Sequence, residues 1–153
     1  MSQPLPLPSL FGRFTAILQD HDNLGKTLRS LRALCAALED GTDLLPAELS
    51  PKRLLEELRA DLTGHFGAEE SPEYFGAVMD EAPELVPAIG GLKWEHMTML
   101  HAVEVLCGIA LDRARWRDLA APTRELIGQL ERHERAESAL LRRLFTPRSS
   151  GFT

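Results

Sequence analysis

The sequence predicts an all-α fold, a four-helix bundle of up-down-up-down topology, and three observations lead there. Four long segments carry apolar residues at alternating three- and four-residue steps. No segment shows the two-residue alternation of a half-buried strand. Helix-start and helix-stop residues separate the segments by short links, which return each helix antiparallel to the one before it.

Pro4, Pro6 and Pro8 make residues 1–8 an extended tail. Ser9 supplies an N-cap for a first helix running to about Asp40, where Gly41 ends it. Its apolar seam reads Phe14, Ile17, position 21, Leu24, Leu28, Leu31, Cys35 and Leu38. Ser50 and Pro51 form an N-cap and first-turn proline for a second helix to about Glu70, with Leu55, Leu58, Leu62 and then positions 65 and 69 on the seam. Ser71 and Pro72 repeat that start signal for a short separate helix over 72–80. Pro83 opens a third long helix to about Arg117, whose seam is Leu85, Ile89, Leu92, position 96, Met99, Val103, Leu106 and Ala110. Pro122 lies near the start of a fourth, ending near Phe145, with Leu126, Leu130, positions 133 and 137, Leu140 and Leu144. The bundle therefore occupies 9–145, and 146–153 reads as a second, flexible polar tail.

Composition narrows the function. A chain of 153 residues, 44% hydrophobic and 26% charged, is an ordinary single globular domain. Its net charge of −6 argues against nucleic acid, whose phosphates need clustered Lys and Arg. No apolar run reaches the ~18 residues of a membrane span. The start, MSQPLPLPSL, lacks the basic and apolar regions of a signal peptide. Cys35 and Cys107 fall in helical patterns without metal-type spacing and read as small core residues. A cytoplasmic protein, monomeric or weakly self-associating, is the expectation.

The residues interrupting the seams carry the functional signal. They are His21 on the first helix, His65 and Glu69 on the second, His96 on the third, and His133 and Glu137 on the fourth. A seam takes about two of every seven positions, so four of five histidines reaching one by chance has a probability of roughly 3%. A buried, unpaired carboxylate costs several kcal/mol or becomes protonated, and no Lys or Arg shares these seams. Metal cations would balance both carboxylates and use neutral imidazoles as ligands. Residues four apart on a helix lie about 40° and roughly 6 Å apart, so each His-x-x-x-Glu pair, 65/69 and 133/137, aims at one locus. One His, then a His/Glu pair, repeated on the second half of the chain, gives two equivalent metal positions with both Glu placed to bridge them. His101, at the outward position five residues after His96, reads as a surface histidine.

On these residues, with Gln-Asp-His-Asp at 19–22 and Glu-His at 95–96, the sequence resembles the hemerythrin-like family of cation-binding domains over about residues 10–145. The four-His, two-Glu set is closest to the diiron domain of the repair-of-iron-centres proteins. Oxygen-carrying hemerythrins typically add a fifth His on the third helix, where this chain has Leu100. The resemblance implies two iron ions joined by an oxo or hydroxo bridge; ligand chemistry alone also admits manganese or zinc. With two His, one oxygen from each Glu and the bridge, each iron keeps one open position. That favours handling of O₂, NO or peroxide, or exchange of iron, under oxidative or nitrosative stress, with a redox partner; the alternative is a reversible O₂ store or a sensor that signals without turnover.

Other residues have plainer readings. Phe66, Tyr74, Phe75 and Met99 are expected in the core. Trp94 and Trp116 lie off the seams and read as covers over helix contacts. Asp20, Asp22, Glu70 and Glu134 flank the ligands, either solvated or hydrogen-bonded to an imidazole.

Overall fold

The computed structural model describes residues 7–41 and 44–145, so the expected tails at 1–6 and 146–153 lie outside the described residues, as do several side chains of the first turns, Phe14 among them. Four long α-helices, α1 (Leu7–Glu39), α2 (Pro51–Glu69), α4 (Val86–Ala110) and α5 (Ala120–Phe145), and one short one, α3 (Ala77–Glu81), make up the fold, with no strand among the described residues. Helix α1 packs on α2 and α5, and α4 packs on the same two. Asp20–His65 with Thr27–Asp61, Arg59–Glu104 with Glu69–His96, and Arg32–Glu131 with Glu39–Arg124 show that α1 and α2, α2 and α4, and α1 and α5 run antiparallel, because along each interface one number rises as its partner falls. The result is the expected four-helix bundle.

Local chemistry sets the element ends. Helix α1 starts at Leu7, two residues before Ser9, so Leu7 and Pro8 are helical rather than part of an extended tail. A proline in a first turn loses no hydrogen bond, which is why Pro8 permits this. Gly41, at φ 75, ends the helix, its N–H donating to the Leu38 carbonyl at 3.1 Å. Ser50 caps α2, accepting from the Arg53 N–H at 3.4 Å, and Pro51 follows at the first helical position. Over 72–81 the chain makes a π turn, Pro72–Gly76, and then α3, rather than one regular short helix.

The third long helix departs from expectation at both ends. Pro83–Leu85 is a 3₁₀ turn, and α4 begins at Val86. Helix α4 stops at Ala110 instead of Arg117, and Arg113–Leu119 is a 3₁₀ helix. Asp112 is the cause: its backbone is extended, at φ −107 and ψ 106, and its carboxylate accepts from the Ala114 N–H at 3.0 Å. The Trp116 indole then donates to the Ala110 carbonyl at 3.0 Å, satisfying an acceptor at the helix end. Helix α5 starts at Ala120, with Pro122 inside its first turn.

Two apolar clusters fill the bundle. One includes Leu24, Leu62, Phe66, Met99 and Leu130; the other includes Ile17, Tyr74, Phe75, Leu92 and Leu141. Between them, at the levels of positions 21, 65, 96 and 133, lies a layer of polar side chains. Cys35 and Cys107 are free and buried, as expected. Trp116 packs against the first cluster, but Trp94 is 64% exposed and covers nothing.

Candidate metal centre

Each long helix delivers its seam-breaking residues to this layer. Glu69, His96, His133 and Glu137 are buried and offer ligand atoms all within 4.8 Å of one another. His21, His65 and Glu69 form a second such group, so Glu69 belongs to both. All six residues singled out in the sequence meet here, while His101 is exposed on α4, away from the cluster. His21 is half-buried, and the other five are nearly sealed from solvent.

The contacts have ligand-like spacing. His96 Nε2 lies 3.2 Å from Glu69 Oε1, and His65 Nε2 lies 3.5 Å from Glu69 Oε2. His133 Nε2 lies 3.5 Å from Glu137 Oε2. Two atoms each about 2.1 Å from one ion are separated by about 3.0 Å along an octahedral edge and about 3.4 Å along a tetrahedral one. Neither oxygen of Glu69 or Glu137 has a hydrogen-bond partner, and the same holds for His21 Nε2. Buried carboxylate oxygens without donors are rare unless something else satisfies them.

An outer shell of acids fixes the imidazoles. His96 Nδ1 meets Glu70 Oε2 at 2.9 Å, and His133 Nδ1 meets Glu95 Oε2 at 3.0 Å. Asp20 stands 3.8 Å from His65 Nδ1, too far for a hydrogen bond, and that nitrogen has no partner. A carboxylate only accepts, so it holds the proton on Nδ1 and leaves Nε2 as a lone pair. For His96 and His133 those two Nε2 atoms face each other at 3.0 Å. Two lone pairs at that distance repel unless a proton or a cation lies between them.

Glu70 thus takes the imidazole-bonding side of its two readings, while Asp20 is exposed and leaves His65 Nδ1 without a hydrogen bond. Glu95 was missed as an orienting residue, although the sequence carried a signal for it. An acid directly precedes a seam histidine twice, at Asp20-His21 and Glu95-His96; each approaches the histidine of the next long helix, Glu95 within hydrogen-bond distance and Asp20 only to 3.8 Å. Phe66 stacks on His96, with ring centroids 3.9 Å apart and planes at 9°. Phe75 lies parallel to the same ring at 6.0 Å.

Burial governs the protonation of the layer. It lowers His21, lowers His96, and brings His65 down to about 4, where the His21 ring adds to the effect. These imidazoles are neutral, the form that ligates metal. His133 is pushed up: burial lowers it, and the carboxylates of Glu137 and Glu95 together outweigh burial. Burial, followed by the neighbouring Glu137, pushes the Glu69 carboxyl up to about 12, so without a cation the carboxyl pair keeps a proton. Glu134 rises to about 7, again chiefly through burial.

Comparison with protein families, curated proteins and solved structures found no match to this chain. The geometry alone therefore defines the site. It is a buried His/Glu cluster able to hold a metal ion.

Proposed function

We propose that the chain is a hemerythrin-like non-haem diiron protein that handles O₂, NO or peroxide, or exchanges iron. The observation carrying this reading is that Glu69 belongs to two distinct ligand groups, one with His21 and His65, the other with His96, His133 and Glu137. A carboxylate shared in that way could join two ions, which favours a pair over a single one. Mixed imidazole and carboxylate donors suit iron, and also manganese or zinc.

Two irons, if bound, would supply redox chemistry toward a small ligand. The chain's own residues do the rest. Glu70 and Glu95 orient the His96 and His133 imidazoles, and the rings of Phe66 and Phe75 keep water from the His96 side. A partly buried Leu100 packs against the core where a fifth histidine would be needed for a carrier, and His101 is exposed. That arrangement supports the reactive reading over reversible storage.

Metal analysis with a visible spectrum tests the proposal, on protein loaded anaerobically with ferrous iron and then exposed to air. About two irons per chain are expected, with oxo-bridge charge-transfer bands that disappear in His65→Ala and His133→Ala. One metal or none would overturn the dinuclear reading.

A further inference from the structure

The outer face of α4 differs from those of the other long helices. Its charged side chains are few: Glu104 is exposed and tied to Arg59 at 3.5 Å, Glu95 is turned to His133 at 3.0 Å, and Lys93 is half-buried. By contrast α2 exposes Lys52, Arg53, Glu56 and Glu57, and α5 exposes Arg124, Glu125, Arg132 and Arg135. Along α4 run Val86, Gly90, Trp94, Met97, His101 and Val105, all exposed; Val86 is 46%, Trp94 64%, Met97 64% and Val105 49% accessible. This is an eleven-residue repeat, 86 to 97, 90 to 101 and 94 to 105. Three turns of about 3.67 residues nearly match the α-helical period, so the stripe runs straight along the helix. Nothing among the described residues covers it.

We infer that this stripe is a self-association surface, on which a second copy of the chain packs antiparallel about a two-fold axis beside Met97. The pattern of sizes selects that occupant. In the antiparallel register Trp94 of one copy lies against the partner's His101, and Val105 fills the space beside the partner's Gly90. No atom lies within 4 Å of where a Cβ on Gly90 would stand, so that space is open. A parallel pairing would set Trp94 on Trp94 and gap on gap.

Charge points the same way. Two copies of a chain with net charge −6 repel, and α4 is the face on which they meet with fewest like charges. The extent sets the strength. From Val86 to Val105 the stripe is about 29 Å long and about 10 Å wide, a footprint of roughly 300 Å² per copy. That falls below the ~1,200 Å² total of stable interfaces, so the dimer is weak and forms with rising concentration.

Sedimentation velocity of the full chain from micromolar to millimolar concentration is the test, with Met97→Glu beside it. A rise from monomer to dimer that Met97→Glu abolishes, with its helical circular dichroism unchanged, is expected. Met97→Cys provides a second reading: near the axis it gives a disulfide-linked dimer in air, whereas Ala139→Cys, exposed on α5, does not. A chain monomeric throughout, a dimer insensitive to Met97→Glu, or equal cross-linking at both positions would overturn the inference. Monomer that instead binds phosphatidylcholine–phosphatidylglycerol vesicles, with binding lost in Met97→Glu, would overturn it in favour of a membrane surface.

Discussion

Replacing Glu69 by methionine separates a metal ligand from a structural carboxyl, because the two roles predict stability changes of opposite sign. Glu69 is 0% exposed, and neither of its oxygens has a hydrogen-bond partner. Without metal it is a desolvated carboxyl relieved only by the proton it shares with Glu137, and burial of such a group costs about 1–3 kcal/mol. Methionine has similar length, needs no partner and adds apolar burial. The metal-free Glu69→Met protein is therefore expected to be more stable than metal-free wild type by about 1–3 kcal/mol, which for a chain of this size raises Tm by roughly 2–4 °C per kcal/mol.

With metal the order reverses. An ion at a thousand times its Kd adds about 4 kcal/mol to wild type, and the variant, lacking the shared ligand, forfeits that gain. The pH dependence has a definite sign. A carboxyl whose folded pKa is pushed up to about 12 by burial is fully accommodated below its unfolded pKa and becomes a growing cost as pH rises above it. The advantage of metal-free Glu69→Met over wild type should then widen between pH 5 and pH 8, two pH values chosen because they lie above the ordinary carboxylate range of about 4.3. Urea unfolding with chelator and with ferrous iron, at both pH values, measures all of this. A metal-free variant less stable than wild type, unchanged by iron, would refute the reasoning and make Glu69 a residue satisfied by protein partners.

Further outcomes follow from other residues. Glu70→Gln and Glu95→Gln remove the carboxylates that hold His96 and His133, and each is expected to weaken metal binding about 10–100-fold without unfolding, as read by competition with a chromogenic chelator. Phe66→Ala empties a position that is 2% exposed and stacked on His96; urea unfolding should show a loss of about 3–5 kcal/mol. Gly41→Ala forces a Cβ into φ 75 at the end of α1, at a cost of about 1–2 kcal/mol measured in the same way. His21→Ala should keep about one metal per chain by elemental analysis, because Glu69, His96, His133 and Glu137 form a complete group without it.

The bundle was legible because seam periodicity and caps are local signals. Ile17, Leu24, Leu28 and Leu31 repeat at helical steps and are buried as that spacing requires. Ser50-Pro51 and Gly41 mark ends that the structure keeps. The end of α4 was not legible, because Arg113–Leu119 has a composition that any helix tolerates, and the break depends on an extended Asp112 together with the Trp116 bond back to Ala110. Trp94 misled for the opposite reason: a large aromatic off the seam suggests a covered contact, and only the packing of α2 and α5 shows that none reaches it.

The layer itself is less symmetric than its residue pattern. The repeat that pairs His65 and Glu69 with His133 and Glu137 also pairs Glu70 with Ser138 and Phe66 with Glu134. Glu70 holds His96 at 2.9 Å, and Phe66 stacks on the same ring, so the His96 side is both oriented and dry. The corresponding places beside His21 hold a serine and a carboxylate. Ser138, Glu134, Glu131 and Arg135 line a surface recess that reaches His21, which is itself half-buried. Burial and orientation both strengthen a ligand set, the first by excluding competing water and the second by fixing the tautomer. The His96/His133 group has both and the His21/His65 group has less of either. On the proposed two-ion reading, the enclosed group would hold its ion more tightly and the second would exchange through the recess beside His21, which is why His21→Ala should separate the two.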